Sequence, residues 1–149
     1  MKNTCFQRGG AAALTRAMFV CTSLTIAALV TPLTAEASQK DTQAFFKGGY
    51  TYCDAKLLAN FWGISTDQAK ETGGNKIREK NEKLLKSALK NARKQSSCNF
   101  DDTQVSFEDA EVLAKFWGVD VGQSKDKIAM LYTQGKSKDV RKALKQAKG

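Results

Sequence analysis

The residues of this sequence most able to do chemistry are its cysteines and its clustered lysines. The chain of 149 residues contains no histidine, which removes the commonest general base and the commonest zinc ligand. The acidic pairs Asp101-Asp102 and Glu108-Asp109 are better explained as charges that favour helix N-termini than as glycosidase carboxylates. No phosphate-binding glycine loop or calcium-loop pattern is present. We therefore expect a protein that is not an enzyme and that uses no cofactor or metal.

The first 37 residues predict a secretory signal peptide. Basic residues precede a mostly apolar run from Ala17 to Val30, and the small-residue triplet Ala35-Glu36-Ala37 follows it. This run is shorter than the roughly 20 residues that span a bilayer, so an uncleaved anchor is the less favoured alternative. We expect cleavage before Ser38 and a mature protein in the periplasm or outside the cell.

Cleavage would leave Cys53 and Cys98 as the only pair of cysteines. In an oxidising compartment we expect them to form one intramolecular disulfide. By the chain-entropy model, a disulfide that closes the loop between Cys53 and Cys98 contributes about 4 kcal/mol to stability. A redox-active or metal-binding pair would favour close spacing such as Cys-x-x-Cys, which this sequence lacks.

Positive charge is concentrated in two short segments. The whole chain has a formal charge of +9, and each of the segments 80–94 and 136–149 holds six basic residues and one acidic residue. The basic residues are Lys80, Lys83, Lys86, Lys90, Arg93, Lys94, Lys136, Lys138, Arg141, Lys142, Lys145 and Lys148. One interpretation is a solvated face that keeps the protein soluble. The other is a pair of cationic stripes for an anionic lipid, polysaccharide, nucleic acid or acidic protein.

The sequence also repeats itself. Residues 52–64 recur 55 positions later as residues 107–119, with seven of thirteen positions identical. Residues 85–93 match residues 140–148 at the same offset, whereas the alignment drifts by about four residues around Gly73-Gly74. Two blocks at one offset indicate an internal duplication.

Each repeat predicts three helices. Thr51 and Ser106 have the side chains of helix N-caps, and Gly63 and Gly118 follow at positions that end helices. The apolar spacing is near 3.6 residues, and nothing in the pattern favours strands. The predicted fold is therefore all-α, with an N-terminal arm at 38–50 followed by two tandem three-helix units, 51–98 and 106–149. We expect the units to share a core, and the Gly73-Gly74 pair to interrupt the second helix of the first unit.

Aromatic pairs lie at the end of the first helix in each unit, namely Phe61, Trp62, Phe116 and Trp117. Core packing is the simpler interpretation, and a partly exposed tryptophan beside the glycine turn would instead suit a peptide or a sugar ring.

Each repeat has a leucine, an alanine and a glycine at the same spacing, which are Leu58, Ala59 and Gly63 in the first repeat. This pattern resembles the first helix and turn of DNA-binding helix-turn-helix proteins. The resemblance implies nucleic-acid binding. However, Ala69 and Ser124 stand where that family buries larger residues, and the predicted signal peptide directs the protein away from the chromosome. Nucleic acid is therefore the less favoured partner.

Together these features predict a small binding protein that engages an anionic envelope component or an acidic protein through its basic third helices. Peripheral contact with a membrane is included in this expectation. The alternative is a periplasmic inhibitor, immunity protein or chaperone that contacts a protein partner through the Phe-Trp-Gly face. A polyanion binder would lose affinity steeply as salt rises, whereas an inhibitor would depend less on salt.

Overall fold

The described part of the chain is helical and contains no β-strand. A computed structural model describes residues 33–149, which form seven α-helices. These are α1 (Leu33–Lys47), α2 (Tyr52–Trp62), α3 (Thr66–Arg78), α4 (Glu82–Gln95), α5 (Phe107–Trp117), α6 (Val121–Thr133) and α7 (Ser137–Lys148), with a short 3-10 turn at Phe100–Thr103. The all-α prediction is confirmed. The predicted signal peptide lies outside the described residues except for its last five positions, which begin α1.

The helix ends follow the local signals in the sequence. The hydroxyls of Thr51 and Ser106 accept hydrogen bonds from the backbone amides of Asp54 and Asp109, at 3.2 and 3.1 Å. These bonds satisfy amides that lack partners within the first helical turn. At the other ends of α2 and α5, the glycines that follow each tryptophan adopt positive φ angles of 66° and 67°. The predicted caps are therefore confirmed.

Helix α3 runs without a break through Gly73 and Gly74, so the predicted interruption is wrong. The two glycines allow α1 to cross α3 at close range. A Cβ atom on Gly73 would lie 2.6 Å from the Phe45 ring, and one on Gly74 would overlap the carbonyl oxygen of Asp41. The helix-breaking tendency of glycine is thus outweighed by the packing of α1.

The expected drift in the repeat alignment is also absent from the helices. Helices α3 and α6 both contain 13 residues, and their first residues, Thr66 and Val121, are 55 positions apart, as are those of α2 and α5. Because the glycine pair lies inside α3, no extra loop is needed to accommodate it.

One hydrophobic core extends through the described helices. Helix α4 packs on α2 and α3, α7 packs on α5 and α6, and α2 also contacts α6. The largest fully buried side chains are Phe45, Leu57, Leu58, Leu85, Leu113, Ile128 and Val140. The segment before Thr51 thus joins the core through Phe45, whereas Leu84, an apolar residue of α4, is 60% exposed.

Cys53 and Cys98 form the predicted disulfide. Cys53 lies in the first turn of α2, and Cys98 follows the end of α4. Both residues are buried. The bond therefore joins the start of α2 to the end of α4, as the sequence predicted.

Candidate functional site on the two basic helices

Helices α4 and α7 are amphipathic, with one apolar side against the core. Leu85, Leu89 and Ala92 of α4 and Val140 of α7 are buried, at spacings that place them on one face of a helix. Eleven of the twelve predicted basic residues are exposed. These are Lys80, Lys83, Lys86, Lys90, Lys94, Lys136, Lys138, Arg141, Lys142, Lys145 and Lys148.

The lysines farthest from the core form a row on each helix. With 3.6 residues per turn, three lysines of each helix lie roughly opposite its buried residues. We call these rows the basic faces: Lys83, Lys90 and Lys94 on α4, and Lys138, Lys142 and Lys145 on α7. Within residues 33–149, no carboxylate lies within ion-pair distance of these six lysines. Their charges are therefore available to a ligand.

Arg93 differs from the other basic residues of this set. Its guanidinium lies 2.7 Å from Asp54, whose carboxylate is buried and also accepts hydrogen bonds from the amide and hydroxyl of Thr51. A Cβ atom on Gly135 would lie 2.6 Å from the same guanidinium. Arg93 therefore connects α4 to α2 and to the α6–α7 turn, and it points away from the basic face of α4.

Two of the exposed basic residues have carboxylate partners. Lys86 lies 3.1 Å from Glu82, one turn earlier in α4, and Lys148 lies 2.5 Å from Asp109 of α5. Both lysines are mostly exposed. Pairs of this kind contribute little to stability because water screens them, so an anionic ligand can replace the partner.

Residues of α4 and α7 meet around Tyr50. Lys86 and Lys138 line a cleft of about 360 Å³, and Arg141 lines a neighbouring cleft of about 300 Å³. Tyr50 borders both clefts, and its hydroxyl donates a 3.0 Å hydrogen bond to Glu82. The fold thus places four basic side chains from two helices near one aromatic ring, since Arg93 also lines the first of these clefts.

The contacts of Glu82 and Tyr50 shift the pKa values of both side chains. Hydrogen bonds from Lys86 and Tyr50 lower the pKa of the Glu82 carboxyl. Burial, followed by the hydrogen bond to Glu82, raises the pKa of the Tyr50 hydroxyl well above its usual range. At neutral pH the clefts therefore contain a carboxylate and a neutral phenol beside the lysines.

A larger cleft lies elsewhere and was not predicted from the sequence. It has a volume of about 580 Å³ and combines apolar residues, including Phe100 and Met130, with the polar side chains of Asn99 and Asp126. Lys125 lies above the Phe100 ring at one side of it, 5.2 Å from the ring centre. Phe100 falls between the two repeated blocks, so no periodic signal pointed to it.

Three of the four residues in the predicted aromatic pairs are half-buried. Phe61, Trp62 and Trp117 are half-buried and pack against the core, and the ammonium of Lys127 lies 4.3 Å from the Trp117 ring. Phe116 is 47% exposed. Both tryptophans are thus partly exposed beside their glycine turns, so core packing and contact with a partner both remain predictions for these pairs. Phe116 is available at the surface.

The structure also bears on metal and nucleic-acid sites. No group of three or more acidic or cysteine side chains with the geometry of a metal site occurs in residues 33–149. In the helix-turn-helix interpretation α3 would be the recognition helix, and one of its faces is covered by α1. Across these same residues, no helix combines the length and the apolar character needed to cross a membrane.

Comparison of the chain with models of known protein families, with curated proteins and with solved structures finds no match.

Proposed function

We propose that this protein is a non-catalytic binding protein of the periplasm or cell exterior, which engages an anionic envelope component or an acidic protein through α4 and α7. The observation that carries the proposal is the pair of basic faces, on which six lysines have no carboxylate partner in the described chain. Lysines held in a row on a rigid helix attract an extended anion at many points simultaneously. A surface that served only solubility would gain from interspersed acids.

We further propose that the chain is built from two related three-helix units, α2 to α4 and α5 to α7. Two contacts and one backbone conformation support this proposal, because they recur at the 55-residue offset. The ion pair of Asp54 with Arg93 corresponds to that of Asp109 with Lys148. A lysine above an aromatic ring also recurs, with Lys70 on Tyr52 and Lys125 on Phe107. A residue with positive φ precedes the last helix of each unit, namely Lys80 and Gly135.

The duplication matters for the function because it supplies the basic face twice. Lys83 and Lys90 correspond to Lys138 and Lys145 at the 55-residue offset. Two separate attachment points on one rigid body raise the overall affinity for an extended partner above that of either point alone. A long polymer or a charged surface suits this arrangement better than a small anion.

The proposal is tested by capture from a cell-envelope extract on the immobilised mature protein, with elution in steps of increasing salt. The test variant carries Lys90→Gln, Lys138→Gln and Lys145→Gln. The matched control carries Lys47→Gln, Lys76→Gln and Lys115→Gln, which remove the same charge outside the basic faces.

We expect lipid, glycan or an acidic protein to be captured, to elute at moderate salt, and to be lost in the test variant while the control retains it. Equal retention by both variants would contradict the proposal.

A second candidate function rests on Phe116. Its exposed ring beside the Gly118 turn suits an inhibitor, immunity protein or chaperone that binds a protein partner. In that case the captured protein would resist salt, would survive the lysine substitutions and would be lost with Phe116→Ser.

A further inference from the structure

The two basic helices differ at several exposed positions, and one of these differences identifies the class of anion. We propose that the anionic partner is the surface of a lipid bilayer, and that Leu84 of α4 inserts among the lipid headgroups. This inference rests on the proposed function, since it specifies the partner of the same basic helices.

Leu84 is the most exposed large apolar side chain among the described residues, at 60%. It lies in the first turn of α4, roughly 100° around the helix axis from both Leu85 and Lys83, and therefore between the buried side and the basic face. Lys83 precedes it, and Lys80 lies four residues earlier, just before the start of α4. An apolar side chain flanked by lysines matches a bilayer surface, which offers hydrocarbon beneath a layer of anionic phosphates.

The corresponding position of α7 shows the contrast. Asp139 stands 55 residues after Leu84 and is exposed in the first turn of α7. An acid is favourable at that place because it complements the helix dipole. Because α4 already carries Glu82 in its first turn, its dipole requires no acid at the position of Leu84, and the exposed leucine there can contact a partner outside the helix.

Charge complementarity calls for an anionic occupant, and the exposed leucine selects a membrane over a soluble polymer. Lysines near an anionic leaflet each contribute to attraction, but they are held above the plane of the headgroups by their hydration. A soluble polyanion would satisfy the lysines equally and would leave Leu84 in water. Contact with a bilayer satisfies both the lysines and the leucine.

The experiment compares two probes and two matched variants of the mature protein. One probe is vesicles of phosphatidylglycerol mixed with phosphatidylcholine, and the other is soluble inorganic polyphosphate. Vesicles of phosphatidylcholine alone serve as a control for binding to uncharged lipid. Leu84→Gln removes the apolar side chain without changing the charge. Met130→Gln is the control, since Met130 is a similarly exposed apolar residue of α6, at 52%, outside the basic helices.

We expect the wild-type protein to bind the anionic vesicles, and Leu84→Gln to weaken this binding by about tenfold while leaving polyphosphate binding unchanged. Met130→Gln should bind both probes like the wild type. Equal vesicle binding by Leu84→Gln and the wild type would overturn the inference. Binding of polyphosphate without binding of anionic vesicles would overturn it and leave the proposed function standing. Binding of neither probe would overturn both the inference and the anionic envelope component as partner, and would leave only an acidic protein.

Discussion

At the scale of single residues, the basic side chains of α4 have two different roles, since some are exposed to water and one forms an ion pair with a buried carboxylate. Lys90 and Lys94 project from the helix into water, whereas Arg93 forms an ion pair with the buried Asp54. The planar guanidinium suits this role, since it can pair with the carboxylate while its remaining face packs against Gly135. Charge alone therefore does not identify a binding residue in this protein.

Arg93→Gln is expected to act on stability and to spare ligand binding. It would leave Asp54 buried without its charged partner, which should lower the free energy of unfolding by about 3 kcal/mol. Lys148→Gln breaks the corresponding exposed pair with Asp109 and should cost less than about 1 kcal/mol. Urea unfolding at neutral pH measures both values. Equal effects of the two substitutions would contradict the buried role of Arg93.

Tyr50 makes stability depend on pH in alkaline solution. Burial and the hydrogen bond to Glu82 raise the pKa of its hydroxyl, with Asp54 adding to the shift and Arg93 opposing it. The folded protein thus keeps the phenol protonated where the unfolded chain ionises. This contribution to stability is complete below about pH 10, the usual tyrosine value, and is lost as the pH rises above it.

Tyr50→Phe should therefore lose less stability than the wild type as the pH is raised above about 10. Part of the wild-type loss will remain, because burial also raises the pKa of Tyr132. The measurement is urea unfolding of both proteins at neutral and alkaline pH. Identical losses would mean that Tyr50 does not titrate differently on unfolding.

At the scale of elements, the crossing of α1 over α3 determines how the start of the described chain is held. The crossing is close because Gly73 and Gly74 present no side chain to Phe45 and to the backbone of Asp41. Arg78 adds an ion pair with Asp41 at 2.6 Å. These contacts involve the part of α1 that follows the predicted cleavage site, so cleavage before Ser38 would preserve them.

Gly74→Ala is expected to separate α1 from α3 and to lower the free energy of unfolding by about 3 kcal/mol, since its methyl group would overlap the Asp41 carbonyl. Gly122→Ala in α6 is the control. Its Cβ atom would meet only Oδ1 of Asp120, at 3.1 Å, which caps α6 by accepting a hydrogen bond from the Gln123 amide. A small shift of this oxygen should offset the higher helix propensity of alanine, so stability should change by less than about 1 kcal/mol. Destabilisation of both variants by a similar amount would contradict this account of the crossing.

Sequence reasoning succeeded where a signal is local and failed where distant segments meet. The caps at Thr51 and Gly63 depend on residues within one helical turn, so their types alone predict them. The role of Gly73 depends on α1, which precedes it by some 30 residues in the chain, and only the fold reveals that contact. The same reasoning applies to the site, since the periodicity predicted the exposed lysines of α4 but could not reveal that Arg93 turns towards Asp54.

At the scale of the whole molecule, one core and one disulfide hold the two basic faces on a common body. Buried residues from both ends of the described chain belong to a single hydrophobic cluster, and Cys53 and Cys98 join α2 to the end of α4. A rigid body keeps the distance between the basic faces constant. Binding to an extended anion then costs little conformational entropy beyond that of the lysine side chains.

The salt dependence of binding to inorganic polyphosphate tests the central claim most directly. Affinity of the mature protein should fall steeply with salt, because each contact releases a bound counterion. The variant with Lys90, Lys138 and Lys145 changed to Gln should bind more weakly and with a shallower salt slope. The control variant at Lys47, Lys76 and Lys115 should resemble the wild type. If both variants weaken binding equally, net charge alone would explain the attraction, and the basic faces of α4 and α7 would not be the binding site.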